Sequence, residues 1–523
     1  MPGIQQSETA PLLIVQVDTA QDETTGDFYY RTYAPTMGMA RCEDVYPVCL
    51  TNLHRARETA MRTADVLVLN NVCDPDVLPL IKERRDRNRP TVFELCDDLD
   101  DTPEGSPTHA FYRNPENLLL IKRLAHYCDA MQFSSPELQR KYGYLNSRSM
   151  VFPNQILDLP PERKYRKDRE VVVGWGGSLG HLEDMKRIAG PLMRWIRGKN
   201  NARLHLMCGD KLWALFDDLP GKFKKRIQPG SMADYYRFVS RIDIGIAPLK
   251  DTPFNRSRSD VKFLEFAAHG VVPVLQAAGP YPASVRNGET GFLFHSTEEM
   301  LGILDSLVED FPARTAVARA ARDYVARERL QVPHARERVD FYRSILSGHP
   351  PVSMDPGGNL SVFESLSRME GARRRGRHLI LCSTRFELLL YGGLLASNLS
   401  DSAKAAHMFA EAATLEPGSH LPHLYGAFLS DDVLASLARA GTLNPRSVRS
   451  RMLLGEEYAR RNDMVNAMDS FRAAAEIFPQ YELPFLKVAG LLREAGREQD
   501  AIPLMMEAKN LMLPLAKPET AGV

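Results

Sequence analysis

The stretch VVVGWGGSLGHLEDMKRI, residues 171–188, predicts a buried strand, a glycine turn and the start of a helix. An apolar run leads into Gly174, Gly176 and Gly177, and residues with helical periodicity begin near Ser178. Glycine permits a close backbone approach, and the free N–H groups of a helix start attract a phosphate. The spacing is not GxGxxG, so a strand–helix turn that binds no ligand explains the stretch equally well.

Similar apolar runs alternate with polar segments of helical period through roughly the first 330 residues. Near-continuous runs of Val, Ile and Leu are typical of strands buried on both faces, and strands that alternate with helices predict parallel α/β sheets. A Pro-rich, charged stretch at 153–170 divides the runs into two sets. We therefore predict two Rossmann-like domains that face a cleft, one over 1–160 and one over 161–347. The other runs are PLLIVQV (11–17), ADVLVLNN (64–71), PTVFEL (90–95), DAMQFSS (129–135), ARLHLMCG (202–209), DIGIAPL (243–249) and VVPVLQ (271–276).

The sequence pattern changes after residue 347, where strand-like apolar runs almost cease. A Pro- and Gly-rich start predicts a linker over 348–385, and a 34-residue period follows it over 386–523. Small residues in this period let two helices of a hairpin approach closely, which is typical of tetratricopeptide repeats that bind protein. Generic amphipathic helices are the alternative. The best-matching unit, 448–481, carries Leu454, Gly455, Tyr458, Ala467, Phe471, Ala474 and Pro479 at the repeat positions.

The composition is that of a globular protein, with 44% hydrophobic and 25% charged residues. Lys plus Arg and Asp plus Glu are 66 each, so no overall field favours a nucleic-acid partner. Two charge runs, 81–90 and 371–378, predict either a solvated helix face and linker, or a patch that contacts an anionic membrane surface or a substrate.

The signals for cellular location are few. Seven cysteines without a CxxC pair predict reduced thiols, and the N-terminus lacks the basic and apolar regions of a signal peptide. No apolar run approaches the ~20 residues that cross a bilayer. We therefore expect a cytoplasmic protein.

A second stretch, NRSRSDVKFLEFAAHGVVPVL (255–275), places cations beside one acid and one imidazole. If a helix begins within it, Arg258 and Lys262 lie one turn apart on one face, with Glu265 and then His269 further along that face. A nucleoside diphosphate needs cations for its phosphates and a carboxylate for its ribose hydroxyls. An ion-paired helix face, with His269 as a packing residue, is the alternative.

The two stretches together resemble the C-terminal half of family-4-type, GT-B-fold retaining glycosyltransferases. The resemblance covers roughly residues 10 to 345, and it rests on the order and spacing of its segments. It implies that a sugar moves from a nucleotide-diphosphate donor, such as a UDP- or GDP-sugar, with retention of configuration and without metal or cofactor. The remaining segments are CGD (208–210), NGETGFLF (287–294), GDFYYRTYAP (26–35), VFELCDDLDD (92–101), FSSPEL (133–138) and VFPNQI (151–156).

Carried onto this chain, the resemblance implies a donor site in the second domain. Arg258 and Lys262 would neutralise the diphosphate and its developing charge, and Glu265 would hold the ribose. The implied donor-binding residues are Gly176, Gly177, Ser178, His181, Asn255, Ser257, Arg258, Lys262 and Glu265.

On the opposite side of the cleft, the resemblance implies a catalytic loop at Asp97 and Asp98, which would contact the donor sugar or the acceptor. Tyr30 and Arg31 would lie on an acceptor-side loop at the cleft mouth, where they would contact the acceptor or a phosphate; ordinary packing of Tyr29 or Tyr30 against the sheet is the alternative. A helix cap or a solvated acidic loop is the alternative for the two aspartates. Asp98 and Asp100 also mimic the metal-binding DxD of another glycosyltransferase fold, but the predicted cation cluster makes a metal unnecessary.

One position departs from the family pattern. The family often carries two glutamates eight positions apart, and counting back from Glu265 reaches Ser257. The earlier acid normally works near the donor sugar, so the resemblance does not fix the sugar here. Amide and hydroxyl groups around Asn255 and Ser257 are the substitutes that we expect.

These observations favour a cytoplasmic glycosyltransferase whose helical repeats recruit a protein. That protein would be the acceptor itself or a partner in assembling a surface polysaccharide. The alternative is a catalytically decayed transferase that acts as a repeat-based protein-interaction scaffold, which agrees with the missing first glutamate. A polymer-degrading phosphorylase would need a lysine-bound pyridoxal site, and no segment indicates one.

Overall fold

The computed structural model describes residues 11–19, 25–104, 106, 108–347 and 356–518. Two sheets, an interdomain cleft and a helical region make up this part of the chain. In chain order the strands are β1 (Leu12–Asp18), β2 (Val45–Thr51), β3 (Val66–Asn70), β4 (Thr91–Leu95), β5 (Ala130–Phe133), β6 (Ser149–Val151), β7 (Val171–Gly176), β8 (Ala202–Met207), β9 (Lys224–Ile227), β10 (Ile244–Ala247), β11 (Val272–Gln276), β12 (Phe292–Phe294), β13 (Ala372–Arg375) and β14 (His378–Leu381).

The two sheets have the strand orders of doubly wound α/β domains. The first runs β13-β14-β2-β1-β3-β4-β5-β6 and the second β12-β11-β10-β7-β8-β9, and all pairs are parallel except β13 with β14. Strands such as β1, whose seven residues are all buried, need helices on both faces of the sheet. The prediction of two Rossmann-like domains facing a cleft, followed by an all-α region, is confirmed.

Helices cover both sheets. In the first domain these are α1 (Gly26–Phe28), which continues through a π turn (Tyr29–Tyr33) into α2 (Ala34–Met39), then α3 (Arg57–Thr63), α4 (Val77–Asp86), α5 (His109–Arg113), α6 (Pro115–Tyr127) and α7 (Pro136–Tyr142). In the second they are α8 (Leu182–Arg197), α9 (Asp210–Trp213), α10 (Met232–Val239), α11 (Pro253–Arg256), α12 (Val261–Ala268), α13 (Tyr281–Ser284), α14 (Thr297–Glu309) and α15 (Phe311–Glu328).

The next helix, α16 (Gln331–Ser347), returns to the first domain. Its Ala335 and Val339 belong to the same apolar cluster as Ile14 of β1, and Tyr342 donates to Gln132 Oε1 at 2.9 Å. The chain thus leaves the first domain after β6, forms the second domain and returns to the first through α16.

The segment predicted as a linker, 348–385, is ordered in its described part. It forms α17 (Pro356–Ser367) and the β13–β14 hairpin, and β14 pairs with β2 of the first sheet. The charge run predicted at 371–378 lies on this hairpin, where β13 is the sheet edge and its three arginines are exposed. Charged side chains at a sheet edge oppose pairing with another chain.

The C-terminal region is built of helical hairpins. Gly393 and Gly455 lie in the first helices of two hairpins, where an added Cβ would come within 2.7 Å of the Phe409 ring and 2.5 Å of the Phe471 ring. The helices are α18 (Arg385–Asn398), α19 (Ser402–Leu415), α20 (Leu421–Gly426), α21 (Val433–Leu443), α22 (Val448–Arg460), α23 (Met464–Ile477), α24 (Glu482–Glu494) and α25 (Glu498–Met512). The close helix approach that small residues predict is thus present, and the tetratricopeptide assignment stays a prediction.

The helical region packs directly on the first domain. Met452 and Leu492 share one apolar cluster with Leu124 of α6. At the same interface Arg123 and Glu482 form a buried ion pair at 2.8 Å. The surface of α22 and α24 that carries these residues is therefore covered by the first domain.

Candidate active site in the interdomain cleft

The glycine turn lies at the carboxyl end of β7, beside the cleft. A Cβ on Gly176 would come within 2.9 Å of the Tyr235 ring, and a Cβ on Gly177 within 2.7 Å of Trp175. Ser178 follows, and a 3₁₀ turn (Leu179–His181) leads into α8. The glycines are thus required by close packing against Tyr235 and Trp175.

His181 connects this turn to Arg258. Its Nδ1 lies 2.9 Å from Asp184 Oδ2, and its Nε2 lies 2.6 Å from Arg258 Nη1. Burial lowers the pKa of His181 to about 4, with Asp184 opposing the shift and Arg258 adding to it. The neutral ring therefore donates through Nδ1 and accepts through Nε2, which holds the guanidinium of Arg258 at the glycine turn.

Arg258 is not on the helix face predicted for it. Helix α11 ends at Arg256, and α12 begins only at Val261, so Arg258 lies in the turn between the two helices. It reaches the glycine turn from this position, where a Cβ on Gly180 would be 3.6 Å from its Nη2. The predicted stripe of Arg258 and Lys262 one turn apart on a single helix is therefore corrected.

Lys262 and Glu265 lie on α12 and already have partners. Lys262 donates to Tyr235 Oη at 2.7 Å and to Glu265 Oε2 at 3.2 Å. Tyr30, from the first domain, donates to Glu265 Oε1 at 3.0 Å and shares a hydrogen bond with Tyr236. A ribose at Glu265 would therefore have to replace Tyr30, which closes the cleft across the two domains.

Asp98 and Ser257 form a second bridge across the cleft. Ser257 Oγ donates to Asp98 Oδ2 at 2.9 Å, and Asp98 Oδ1 accepts from Lys141 at 2.6 Å and from Tyr142 at 2.7 Å. Together these donors lower the pKa of Asp98 against the effect of its burial. Asp98 is 1% exposed and anchors its loop to Ser257 of the second domain, while its predicted contact with the donor sugar or the acceptor stays a prediction.

Asp97 differs from its neighbour in its electrostatics, and its side chain is only half-buried. Burial, Asp27 and Asp98 together raise its pKa to about 7, while Arg258 opposes the shift. Desolvation also raises the pKa of Asp27, against the charges of Arg258 and Arg31. Sequence reasoning missed Asp27, although an acid directly after the first strand's loop in GDFYYRTYAP was a usable signal.

Two predicted site residues point elsewhere. Arg31 is 2% exposed, pairs with Glu94 and donates to Asn154 Oδ1 at 2.6 Å, so it is part of the first domain's core and not of a cleft-mouth loop. Asn255 donates its amide to the Lys250 carbonyl at 2.9 Å and is buried. Both prefer these internal partners because a buried polar group needs hydrogen bonds.

The described residues contain neither a candidate metal site nor a candidate membrane span. No group of three or more His, Cys, Asp or Glu side chains there is placed to hold a metal ion, and the metal independence of the reaction stays a prediction. Within the same residues no helix has the length and apolar character to cross a membrane.

Comparison with known proteins supports the architecture. Neither the family models nor the curated proteins give a match to this chain. Among solved structures, sucrose-phosphate synthase from Thermosynechococcus elongatus matches with TM-score 0.51 and 12% identity, over 64% of this chain and all of that one. HepE of Anabaena, solved with UDP and glucose, matches with TM-score 0.49 and 15% identity, over 64% and 100% of the two chains. A glycosyltransferase from Rickettsia africae gives 0.45 and 12%, over 65% and 99%. The first likeness shows a GT-B-type fold for the two α/β domains.

Proposed function

We propose that the protein is a glycosyltransferase that moves a sugar from a nucleotide-diphosphate donor to an acceptor with retention of configuration. The observation that carries the proposal is the Asp184–His181–Arg258 chain, which holds a guanidinium at the glycine turn beside Lys262. In a GT-B-type fold this edge of the second sheet is where ligands bind, beyond the carboxyl ends of the strands.

Stabilisation of the leaving diphosphate is the main contribution of the protein in this mechanism. Arg258 and Lys262 would face its developing charge, and the site is pre-organised because neutral His181 fixes Arg258 before the donor arrives. Transfer on one face of the sugar lets the leaving phosphate take the proton of the acceptor hydroxyl. No protein nucleophile is then required, and neither a metal nor a cofactor is part of the mechanism.

Asp97 suits such a site because it is about half protonated at neutral pH and mostly uncharged below it. Its raised pKa, about 7, reduces repulsion between the cleft and a diphosphate. The remaining carboxylate on α12, Glu265, would accept hydrogen bonds from the ribose once Tyr30 has moved away.

The helical repeats would recruit a protein acceptor or partner in the cytoplasm. Because one edge of the repeats packs on the first domain, the partner must use an outer face. Exposed apolar side chains lie at the first and last helices of the repeats: Leu388 and Leu395 on α18, Leu399 directly after it, and Met505 and Met506 on α25. Such patches on a surface are typical of interaction sites.

A catalytically inactive scaffold is the second candidate, and one observation favours it. Glu265 is occupied by Tyr30 and Lys262, and Ser257 stands where related transferases carry an acid. In that case the cleft would bind no nucleotide.

Calorimetric titration with UDP and GDP separates the two candidates. We expect one nucleotide to bind the wild type, and Lys262→Ala to weaken it by roughly 10- to 100-fold, because hydrogen bonds to charged groups contribute about 1.5–3 kcal/mol. Lys186→Ala, on the exposed side of α8, is the matched control and should change nothing. Absence of binding of both nucleotides at millimolar concentration would contradict the enzyme proposal. Slow release of nucleotide from a panel of UDP- and GDP-sugars would identify the donor.

A further inference from the structure

A cavity of about 650 Å³ lies where the joining segment between the two domains, residues 152–170, passes the turn before β10 and the end of α12. Its volume falls within the range of pockets that bind small molecules, about 300–1,000 Å³. None of the described residues that line it belongs to the proposed donor site. The cations that line it are Arg163, Lys164, Arg166, Arg169 and Arg241, and no acid lies among the described lining residues.

One carboxylate, that of Asp243, is shared by two of these cations. Asp243 Oδ1 accepts from Arg163 at 2.7 Å and from Arg169 at 2.6 Å, and Oδ2 accepts from the backbone N–H of Val172 at 2.9 Å. Arg163 also donates to the Ser240 carbonyl at 3.3 Å, so its guanidinium is fixed in the wall. Both oxygens of Asp243 are therefore already bonded, and this acid offsets only one of the five positive charges.

The other three cations are exposed and come from two sides of the cavity. Lys164 and Arg166 lie on the joining segment, whereas Arg241 precedes β10 in the second domain. They form no ion pair with another residue that the structure describes. Like charges repel one another, and a concave surface with low-dielectric walls concentrates their field. The cavity is therefore a region of positive potential.

A buried imidazole, that of His269, is part of the cavity wall. Its Nδ1 donates to the Glu265 carbonyl at 2.8 Å, which fixes the ring at the end of α12. Burial lowers the pKa of His269, and the charges of Arg322 and Arg163 add to the shift, while Glu265 opposes it. An anion in the cavity would relieve the repulsion between these arginines and the charged form of the ring.

Phosphate groups match this arrangement better than a single carboxylate does. A phosphate monoester carries about two negative charges at pH 7 and offers three acceptor oxygens. The guanidinium of an arginine binds such oxygens through two parallel hydrogen bonds, and the ammonium of a lysine binds them as a point charge. A ligand with two phosphate groups would therefore balance Lys164, Arg166 and Arg241 together. It would also connect the joining segment to the body of the second domain.

We propose that this cavity binds a phosphate-bearing ligand, which is either a free compound with more than one phosphate or the headgroup of an anionic phospholipid. Both sources present the same groups to the same three cations, and the experiment below distinguishes them. The site goes beyond the proposed function and does not depend on it, because it shares no described residue with the donor site. Since the ligand would hold the joining segment, its binding should slow the hydrogen exchange of residues 161–169.

The test removes cations from each side of the cavity. Lys164→Ala with Arg166→Ala changes the joining segment, and Arg241→Ala changes the second domain. All three side chains are exposed, so their removal leaves the buried core intact. Lys186→Ala with Arg194→Ala, at exposed positions of α8, removes two positive charges outside the cavity and is the matched control.

Two probes represent the two sources of phosphate. Inorganic tripolyphosphate is titrated by calorimetry at about 0.15 M salt, where the Debye length is about 8 Å and distant charges are screened. Vesicles of phosphatidylcholine with phosphatidic acid, and vesicles of phosphatidylcholine alone, are tested by co-sedimentation. Hydrogen exchange with and without tripolyphosphate locates its binding site within the chain.

We expect the wild type and the control to bind at least one probe, and both cavity variants to bind it more weakly by about tenfold or more. Tripolyphosphate should protect residues 161–169 from exchange. Vesicle binding that requires phosphatidic acid and is lost in the cavity variants would assign the headgroup. Tripolyphosphate binding without vesicle binding would assign a free phosphate compound.

The proposal is overturned if neither probe binds the wild type, or if either cavity variant binds as tightly as the control. It is also overturned if tripolyphosphate protects only the glycine turn, which would place its binding at the donor site. UDP and GDP affinity should be the same in the cavity variants and the wild type. Failure of both nucleotides to bind the wild type would instead contradict the proposed function, and the two phosphate probes would still decide this site.

Discussion

Ser257 follows α11 in the second domain and bridges to Asp98 of the first domain. It is 2% exposed, and its hydroxyl donates to Asp98, which is itself 1% exposed. A glutamate here would place a second carboxylate against Asp98 without a cation between them. Two carboxylates within hydrogen-bond distance of each other disfavour each other's ionised form. The serine therefore keeps this closed arrangement of the cleft possible, which the family pattern does not reveal.

We expect Ser257→Glu to lower the free energy of unfolding by roughly 3–5 kcal/mol or to open the cleft, because it leaves an uncompensated buried charge. Chemical denaturation and the radius of gyration from X-ray scattering measure the two effects. Asp98→Asn in the same chain should restore most of the loss, and Ser306→Glu, on an exposed helix face, is the control. An unchanged stability and radius of gyration would show that the bridge between Ser257 and Asp98 does not hold the cleft.

Asp97 gives the site a pH dependence with a definite sign. Its pKa in the free protein is raised from 3.8 to about 7, and a bound diphosphate would raise it further. Binding then takes up a proton above pH 7, so UDP or GDP affinity should fall as the pH rises from 7 to 9, by up to tenfold per unit. The terminal phosphate loses its proton near pH 6, so it is already ionised in this range. Asp97→Asn should give an affinity that is flat over this range, and a wild type with an equally flat profile would contradict the assignment.

Residue types were more predictable than residue contacts. The cations and the acid around α12 could be identified from their spacing, because one helix carries Lys262 and Glu265 together. The partner of Glu265, Tyr30, comes from the other domain, and no local pattern indicates a contact over that sequence separation. Asp27 lies in a segment that the sequence does mark, GDFYYRTYAP, but its effect on the pKa of Asp97 arises only after folding.

At the level of elements, the apolar runs predicted the buried strands well, because a strand covered on both faces has few polar positions. Helix bounds were less predictable. The segment before α12 breaks into the short helix α11 and a turn, and this break moves Arg258 off the predicted face. Asp260, the residue before α12, is bonded to Arg329, which lies 69 residues further along the chain, so this contact could not be read from the local sequence.

The glycine positions of the repeats allow a matched pair of substitutions. Gly455→Ala puts a Cβ within 2.5 Å of the Phe471 ring, whereas Gly490→Ala, in the first helix of the next hairpin, meets no atom within 4 Å. Overpacking costs typically 1–3 kcal/mol, and Ala favours an open helix position over Gly by about 1 kcal/mol. We therefore expect Gly455→Ala to lower the unfolding midpoint in urea and Gly490→Ala to raise it. Shifts of the same sign in both would contradict the close Gly–Phe packing.

At the scale of the whole molecule, the order of domains could be predicted but their connections could not. The return of α16, the pairing of β14 with β2 and the packing of the repeats on α6 all join segments far apart in the chain. Composition gives no signal for such contacts. A Pro- and Gly-rich start suggested a linker at 348–385, yet the described part of that segment extends the first sheet.

The pairing of Arg123 with Glu482 tests whether the repeats and the first domain fold as one unit. Both side chains are almost fully buried, and Glu482 Oε2 accepts from Arg123 at 2.8 and 2.9 Å. Removing one partner leaves an unpaired buried charge, which costs about 3–5 kcal/mol, whereas replacing both by apolar residues is often neutral. We expect Glu482→Ala to lower hydrogen-exchange protection of α6 and α22 together, by roughly 100- to 3,000-fold, if opening of the shared core governs exchange.

A control variant and a rescue variant show whether the lowered hydrogen-exchange protection in Glu482→Ala comes from the unpaired buried charge. Glu498→Ala removes an exposed ion pair with Arg493 and should change protection by less than about tenfold, because surface pairs contribute 0–1 kcal/mol. The double variant Arg123→Met with Glu482→Met should recover most of the protection. If Glu482→Ala lowered protection in α22 but left α6 unchanged, the repeats would be an independent unit. If both fell by the same factor, the continuous apolar cluster would be one cooperative core, so removing the repeats would destabilise the domain that closes over the cleft.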